Sequence, residues 1–401
     1  MKPSGIEWIG DIPDDWEVRR GKYTLDLLMR PIRDNDEIIT CFRDGQVTRR
    51  SNRREDGFTF ADKEIGYQGI LKGDLVIHGM DGFAGAIGIS DSDGKGSPVL
   101  NVCRPKNGSD TRYINYYLRT LALQNVFIAL STGIRERSCD LRWKKIAELL
   151  FTIPPLKTQQ KIADYLDDKC GEIDATIAKQ KEIIEKLKAY KQSLISETVT
   201  KGLDKSAPLK PSGIKWLGEI PQNARIIRLR FLSSIQTGDK DTVNRVENGK
   251  YPFYVRSPIV ERIDTFSFDG EAILMAGDGV GAGKVFHYVN GKFDYHQRVY
   301  NIHNLKGVLG KFLYYYLREN FYKEIEQSNA KSTVDSIRLP MLLDFPIIVY
   351  PYDLQKEMVS FLDKKVAEID AIIIKKQNII QKLDAYKKSL IFECVTGKQI
   401  T

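Results

Sequence analysis

The sequence predicts an α/β protein made of two consecutive copies of one unit, a pseudo-two-fold repeat whose two long helices pair as an antiparallel intramolecular coiled coil. Three observations support this prediction. A helical segment with seven-residue periodicity occurs twice, at 158–200 and 353–396. A block beginning Lys-Pro-Ser-Gly-Ile also occurs twice, at 2–20 and 210–228. Between these blocks and helices, strand-like runs bounded by glycine and asparagine accompany a helical string that both halves share.

The duplication divides the 401-residue chain into four segments. Residues 1–150 hold the first start block and middle region, and 151–205 hold the first long helix. Residues 206–350 hold the second start block and middle region, and 351–401 hold the second long helix. Each middle region is long enough to form its own hydrophobic core, so we expect two similar domains joined by the helices.

The long helices are the best-preserved part of the duplication. Residues 155–201 and 351–397 are identical at 24 of 47 positions, where composition alone predicts about three. Apolar residues recur with alternating spacings of three and four, which is typical of a two-stranded coiled coil. The predicted seam positions are Leu166, Ile173, Ile177, Ile184, Leu187 and Leu194 in the first helix and Leu362, Ile369, Ile373, Ile380, Leu383 and Leu390 in the second. The alternatives are ordinary amphipathic helices, or pairing with a second copy of the chain.

Both middle regions are predicted to combine short strands with one helix. The helix carries Tyr-Tyr-Leu-Arg at 116–119 and at 315–318, and Asp81-Gly82 matches Asp278-Gly279. The predicted strands are 74–78, 86–89 and 149–153 in the first region and 272–275, 284–289, 297–302 and 345–350 in the second. Elsewhere the side chains differ almost completely, which indicates one fold adapted to two different ligands.

Basic residues in the middle regions are candidates for contact with a polyanion. The chain has 61 basic and 53 acidic residues and a net charge of +8, which by itself favours nucleic acid only modestly. Arginine and lysine contact phosphates, while arginine, glutamine and asparagine can also read base edges. The candidates are Gln46, Arg49, Arg50, Ser51, Asn52, Arg53, Arg54, Arg135 and Arg137 in the first region and Lys240, Asn244, Arg245, Arg256, Gln297, Arg298 and Lys331 in the second. The alternative for each is a solvated surface position.

The sequence contains none of the common catalytic or metal-binding motifs. Its four histidines form no H-E-x-x-H pair, no G-x-S-x-G string occurs, and the Asp/Asn-Pro-Pro-aromatic string of amino-methyltransferases is missing. The stretch 277–284 departs from a phosphate-binding loop at Asp278 and Val285, and is predicted to be a hairpin turn. We therefore expect neither enzymatic activity nor a bound metal. The cysteines lack a C-x-x-C pair and are expected to be reduced core thiols, at Cys41, Cys103, Cys139, Cys170 and Cys394.

Hydropathy gives an expectation about location. No apolar run approaches the roughly 20 residues that cross a bilayer, and the first residues lack the apolar core of a signal peptide. We expect the chain to stay in the cytoplasm and to have no contact with a membrane.

The order of these segments resembles the specificity subunit of type I restriction-modification systems. The first long helix opens with Pro-Pro-Leu-Lys-Thr-Gln-Gln-Lys-Ile-Ala-Asp-Tyr-Leu at 154–166 and continues through Glu-Ile-Asp at 172–174, as in that family. The second copy departs from the motif because Tyr350 replaces its first proline, although it keeps Gln355 and Glu-Ile-Asp at 368–370. The start block Lys-Pro-Ser-Gly-Ile-x-Trp-x-Gly-x-Ile-Pro is similar as well. The resemblance covers essentially the whole chain.

The resemblance implies a non-catalytic DNA-binding subunit. Target-recognition domains within 1–150 and 206–350 are each expected to read one half of a bipartite double-stranded DNA site, with the gap fixed by the helix pair. Expected partners are two modification subunits, which use S-adenosylmethionine to methylate adenine, and restriction subunits, which use ATP and Mg²⁺; no cofactor is expected on this chain. The alternatives are a coiled-coil scaffold that binds proteins without DNA, and a stand-alone DNA methyltransferase or nuclease.

Overall fold

The computed structural model consists of two compact units. One comprises Met1–Gln180 together with Gln377–Thr401, and the other comprises Lys181–Lys376. Each unit includes a middle region together with parts of both long helices. The four segments predicted from the sequence treat the long helices as separate segments, and that division stays a prediction. The residues that the structure describes are 1–53, 65–129, 141–328 and 336–399.

The first unit is built around a four-stranded antiparallel sheet. The strands of the whole unit are β1 (Lys2–Pro3), β2 (Asp11–Ile12), β3 (Glu17–Arg20), β4 (Leu25–Leu27), β5 (Ile39–Cys41), β6 (Val47–Arg49), β7 (Gln68–Ile70), β8 (Leu75–His78), β9 (Ile87–Ile89), β10 (Gly94–Gly96), β11 (Leu100–Pro105) and β12 (Leu150–Ile153). Its shorter helices are α1 (Gly21–Thr24), α2 (Thr111–Leu123), α3 (Val126–Ala129) and α4 (Trp143–Ile146). The central sheet has the order β4-β11-β8-β9, and the aromatic side chains Tyr113 and Tyr117 of α2 lie in the core with residues of that sheet.

The long helices are α5 (Leu156–Lys201) and α8 (Tyr352–Val395). Each passes from one unit into the other, because α5 includes Gln180–Lys181 and α8 includes Lys376–Gln377. At 46 and 44 residues they measure about 69 and 66 Å. Glycines in the left-handed conformation follow both helices, Gly202 with φ +81° and Gly397 with φ +73°, as expected where a helix must stop.

The second unit has a six-stranded sheet. The strands of the whole unit are β13 (Leu209–Pro211), β14 (Glu219–Pro221), β15 (Arg225–Arg228), β16 (Ser234–Thr237), β17 (Tyr251–Tyr254), β18 (Glu261–Ile263), β19 (Phe268–Ala276), β20 (Phe286–Tyr295), β21 (Val299–His303) and β22 (Pro346–Val349). Its shorter helices are α6 (Gly310–Ser328) and α7 (Leu339–Leu343). The sheet order is β16-β21-β19-β20-β17-β18, with every neighbouring pair antiparallel except β17 and β20.

The two units share one strand connectivity. In the first, β11 lies between β4 and β8, and in the second, β21 lies between β16 and β19. A backbone bond of 2.8 Å also recurs after the equivalent strands, from Gly79 to Val99 and from Gly277 to Arg298. The predicted repeat of a mixed helix and strand fold is therefore confirmed. The stretch 277–285 joins antiparallel β19 and β20, as the hairpin prediction required.

Within each unit, the two long helices run antiparallel. In the first unit, Asp174 lies beside Lys387, and Tyr165 lies beside Gln399, just after α8. In the second unit, Lys191 lies beside Asp370, and Thr200 lies beside Tyr350, just before α8. Rising numbers in α5 therefore meet falling numbers in the second helix. The seam positions are buried at Leu166, Ile173, Ile177, Ile184, Leu362, Ile369, Ile373 and Leu390, and half-buried at Leu187, Leu194, Ile380 and Leu383. Burial of this apolar seam is the main force that holds the helices together.

A lysine–aspartate ion pair joins the two long helices in each unit. Lys387 binds Asp174 at 2.6 Å in the first unit, and Lys191 binds Asp370 at 2.5 Å in the second. Both aspartates belong to the repeated Glu-Ile-Asp motif, and both lysines interrupt the apolar seam at matching positions. Polar residues in a seam lower stability but select one register. These pairs therefore explain why the lysines and aspartates are the same in both copies.

A buried glutamine joins each middle region to its long helix. The Gln159 side chain accepts a hydrogen bond from the backbone N–H of Asp110, at 2.9 Å, and donates one to the carbonyl of Pro154, at 2.8 Å. Gln355 makes the same bonds with Leu309 and Tyr350, at 2.7 and 2.8 Å. The motif glutamine therefore fixes the start of the helix against the loop before α2 or α6.

The other expectations about the chain can be placed on the structure. Cys41, Cys103, Cys170 and Cys394 are free and buried, as predicted, whereas Cys139 lies outside the described residues. No helix in the described part of the chain has the length and apolar character needed to cross a bilayer.

We predict that Gln159→Leu lowers the free energy of unfolding by about 2–4 kcal/mol, because it leaves a buried N–H and a buried carbonyl without partners. Chemical denaturation of the full chain measures this change. The neighbouring Gln160 is exposed, so Gln160→Leu should change stability by less than about 0.5 kcal/mol. Equal stability of the two variants would contradict the role given to Gln159.

Candidate nucleic-acid interface

The basic cluster of the first unit lies on a β-hairpin and the turn after it. β5 and β6 pair antiparallel, and residues 50–52 form a single helical turn directly after β6. Arg49 and Ser51 both bind the carboxylate of Glu37, at 2.8 and 3.0 Å. One carboxylate therefore orients two of the predicted contact residues.

The remaining residues of this cluster have partners of their own. Arg53 binds Asp44 at 2.8 Å and lies over the ring of Phe42, with 4.1 Å between the guanidinium carbon and the ring centre. Gln46 is exposed, and its backbone N–H donates to Asp44 at 3.1 Å. Two further bonds hold the turn, from Asn52 to the Thr48 hydroxyl at 2.8 Å and from Arg50 to the Thr40 hydroxyl at 3.5 Å.

A cleft of about 770 Å³ opens beside the cluster. Residues that line it include Phe42, Arg43, Arg50, Arg53, His78 and Asp81. Arg43 donates from Nη2 to Oδ1 of Asp81 at 2.9 Å. The cleft therefore combines three arginines with an aromatic ring, which suits a phosphate backbone and the edge of a base.

Arg43 is not among the contact residues that the sequence predicts. Its partner Asp81 lies 38 residues away, and no periodicity joins the two positions. One signal was present, because Asp81-Gly82 is among the few strings that the middle regions share. That match marked the aspartate without identifying what the aspartate binds.

A histidine fixes the backbone on which Asp81 stands. Nδ1 of His78 accepts the N–H of Asp81 at 2.9 Å and the N–H of Met80 at 3.2 Å. Burial lowers the pKa of His78 below its ordinary value of 6.5, and Arg43 adds to this effect although Asp81 opposes it. His78 is therefore neutral at pH 7, as an Nδ1 acceptor must be.

In the second unit, four candidates come together near one end of the sheet. The backbone of Gln297 donates to the carbonyl of Lys240 at 2.8 Å. Arg256 binds Asp278 at 3.0 Å, and Arg298 approaches the same carboxylate at 3.6 Å. A cleft of about 370 Å³ beside them is lined by residues that include Thr242, Arg256, Asp278 and Val280.

Two further candidates of the second unit differ in their surroundings. The Asn244 side chain accepts the N–H of Asp241 at 2.8 Å and so closes the turn that follows Lys240. Arg245 is exposed and lies 3.7 Å from Glu261. Asn244 therefore has a local structural contact, whereas Arg245 is held only by a long ion pair. The candidates that lie outside the described residues are Arg54, Arg135, Arg137 and Lys331.

Comparison with known proteins identifies the family of this chain. A sequence profile described as "Type I restriction modification DNA specificity domain" matches residues 51–189 and 226–383, one match in each repeat. The chain belongs to this family. The second matched range contains every residue that lines the second cleft, the first contains only part of the first cleft, and together they contain most of both long helices.

Individual relatives of the family match at low identity. The chain is 27% identical over 181 residues to the type I restriction enzyme EcoDI specificity subunit of Escherichia coli, which covers 45% of this chain and 40% of that one. It is 27% identical over 280 residues to the MjaVIII specificity subunit of Methanocaldococcus jannaschii, covering 64% and 63%. The matched stretches thus span about half the length of these relatives.

Solved structures show the fold more completely. A chain from a study titled "Structural basis underlying complex assembly and conformational transition of the type I R-M system" has a TM-score of 0.75 at 14% identity, covering 97% of this chain and all of that one. The HsdS subunit from Thermoanaerobacter tengcongensis has a TM-score of 0.52 at 15% identity, covering 97% and 98%. The family fold therefore extends over almost the full chain.

We predict that acidification from about pH 7.5 to about pH 5.5 lowers the free energy of unfolding. An unfolded histidine takes up a proton near pH 6.5, whereas folded His78 stays neutral until its lowered pKa is reached. The unfolded state therefore binds more protons in this window, and stability falls as the pH falls. Burial also lowers the pKa values of His287, His296 and His303, which add to the effect.

Two substitutions isolate the part played by His78. In His78→Asn, the amide oxygen can take the place of Nδ1 as acceptor without titrating, so thermal unfolding should depend less on pH than in the wild type. In His78→Gln, the longer side chain puts its oxygen elsewhere, and stability should be lower at both pH values. A His78→Asn protein with the wild-type pH profile would argue against this account.

Proposed function

We propose that this chain is the non-catalytic DNA specificity subunit of a type I restriction-modification complex. Each unit carries one target-recognition domain, and each domain reads one half of a bipartite double-stranded DNA site. The observation that carries the proposal is the double match to the DNA specificity family, with one match in each structural repeat. The cleft with three arginines in the first middle region supports it, and so do Arg256 and Arg298, which both approach Asp278 at the cleft of the second.

The residues around the clefts suit a duplex. Arg50, Arg53, Lys240 and Arg298 supply positive charge for phosphates, and Gln297 supplies an amide that can pair with adenine. The residues proposed to contact DNA are all of the sequence candidates, Gln46, Arg49, Arg50, Ser51, Asn52, Arg53, Arg54, Arg135, Arg137, Lys240, Asn244, Arg245, Arg256, Gln297, Arg298 and Lys331. The two sets differ in residue type, which fits two half-sites of different sequence.

Catalysis in this proposal belongs to partner chains. Two modification subunits would bind S-adenosylmethionine and methylate adenine, and restriction subunits would use ATP and Mg²⁺ to translocate and cut DNA. The specificity chain would hold these subunits at the site that it reads. Its cytoplasmic location follows from that role.

The helix pair is proposed to fix the gap between the half-sites. Both long helices pass from one unit into the other, and each is too long to be needed for a domain core alone. Bound domains that read one duplex must match its helical repeat, about 34 Å per turn. A stiff helix pair meets this requirement, because its length is set by the number of residues in its helices.

We predict that duplex DNA binding depends steeply on salt. Each phosphate contact that is lost should reduce the slope of log K against log salt by about 0.9. Arg50→Ala with Arg53→Ala should therefore reduce the slope by up to about two, as measured by gel shift or fluorescence anisotropy at several salt concentrations.

The matched control removes two positive charges from a long helix, Lys161→Ala with Lys169→Ala, and should leave the slope unchanged. Equal effects of the two double variants would show that the slope reports net charge and not the cleft. If the wild-type chain binds no DNA, the protein-binding scaffold without DNA contact becomes the better account.

We predict that inserting one heptad into each long helix, after Gln180 and after Lys376, lengthens the gap by about three base pairs. Seven residues add about 10 Å of helix and preserve the seam, and one base pair rises about 3.4 Å. Sequencing of methylated sites in cells that carry the modification subunit measures the gap. The same heptad placed in the loop 203–207 should leave it unchanged, and an unaltered gap in the helix variant would rule out the spacer role.

A further inference from the structure

In both units an arginine pairs with an aspartate that lies just after a central strand of the sheet. Arg43 follows β5 by two residues, Asp81 follows β8 by three, and their side chains bond at 2.9 Å. Arg256 follows β17 by two residues, Asp278 follows β19 by two, and their bond measures 3.0 Å. β8 and β19 hold equivalent positions in the two sheets, so each carboxylate stands at the end of a central strand.

The pair is formed although the chain between its members differs. The arginine and aspartate are 38 residues apart in the first unit and 22 apart in the second. The connection between the two residues therefore differs in length, while a contact of the same kind is found in both units. Among middle regions whose other side chains have almost all diverged, a contact found twice calls for a reason.

Stability does not supply that reason. Arg43 and Arg256 are 67% and 44% exposed, and exposed ion pairs contribute between zero and about 1 kcal/mol. A carboxylate on a surface that binds DNA also repels phosphates, and so weakens binding to every sequence alike. An aspartate at this position therefore favours DNA binding only if the free energy gained by orienting the arginine exceeds the free energy lost by repelling phosphates.

The backbone that carries each of these carboxylates is held in place by hydrogen bonds. His78 accepts the backbone N–H of Asp81, as described above. In the second unit, Asp278 forms a backbone bridge with Ser336, and the preceding Gly277 accepts the N–H of Ile337 at 2.6 Å. A side chain that must meet a base edge at one position needs such a support.

Each pair also lines a cleft. Arg43 and Asp81 line the cleft of about 770 Å³ in the first unit, and Arg256 and Asp278 line the cleft of about 370 Å³ in the second. A guanidinium has five N–H donors in a planar fork, and each aspartate contact occupies one terminal nitrogen, Nη2 of Arg43 and Nη1 of Arg256. An edge of the fork can then face the cleft.

We propose that Arg43 and Arg256 each read one guanine, one in each half-site, and that Asp81 and Asp278 are positioning residues that orient them. This inference rests on the proposed function. Two parallel N–H donors match the O6 and N7 acceptors of guanine in the major groove, and no other base offers that pair. A phosphate contact would need no fixed orientation and no opposing carboxylate.

Selection from fully randomised duplex DNA tests the proposal, with the full-length chain as bait and sequencing of the bound fraction as readout. Arg43→Ala should reduce the preference for guanine about 10- to 100-fold at one position of one half-site, and leave the other half-site unchanged. Arg256→Ala should do the same in the other half-site only. Arg43→Lys keeps the charge but lacks the fork, so it should lose the same preference while retaining affinity for unrelated DNA.

The aspartates give a readout that a purely structural role would not move. Asp81→Asn removes a negative charge, so binding to unrelated DNA should hold or strengthen while the preference for guanine falls. The control is Arg33→Ala, which removes an exposed arginine that binds Asp36 and Asp93 away from the residues that line the cleft, and it should leave both half-sites as they were.

The possible failures are distinguishable. If the wild type selects a bipartite site and Arg43→Ala and Arg256→Ala select the same site, the proposal is overturned and the specificity function stands. A uniform loss of affinity for all sequences would assign these arginines to phosphates and also overturn it. If the wild type selects no sequence at all, the proposed function fails first.

Discussion

The apolar seam between the two long helices is the constraint on which the structure depends. Each helix is far longer than one domain core can cover, so its isoleucines and leucines need a partner helix to be removed from water. The other long helix of the same chain supplies it within each unit. Lys191 and Lys387 interrupt the seam, and each binds an aspartate of the facing helix, which excludes other registers. The strict repetition of these residues follows from that pairing.

A second constraint joins the helices to the middle regions. Gln159 and Gln355 are buried, and each uses both ends of its amide on backbone groups from either side of the junction. Another side chain at this position would leave buried backbone groups without hydrogen-bond partners, which lowers the free energy of unfolding. The junction is therefore the same in both halves, while the strands and loops beyond it have been free to change. Conserved attachment and divergent clefts are what two readers of different half-sites need.

The periodic parts of this protein could be predicted from the sequence because the structure there depends on the spacing of residues that are close together in the chain. The seven-residue spacing placed the seam, and short apolar runs identified half of the strands of the two central sheets, namely β8, β9, β19, β20 and β21. The basic cluster at 46–54 was visible for the same reason, since its members are neighbours in the chain. Arg43 was not visible, because its partner Asp81 is brought to it by the packing of two strands. Contacts of that kind leave no spacing to detect.

The sequence by itself determined the duplication, the two long helices, the faces by which they pair and the family to which the chain belongs. All of these follow from periodicity or from a residue string, which folding does not alter. Only the tertiary structure decided which carboxylate orients each arginine, that His78 accepts from the backbone of Asp81, and that Lys240, Arg256, Gln297 and Arg298 lie together. These depend on distances between residues remote in the chain, and such distances are set when the sheets and helices pack.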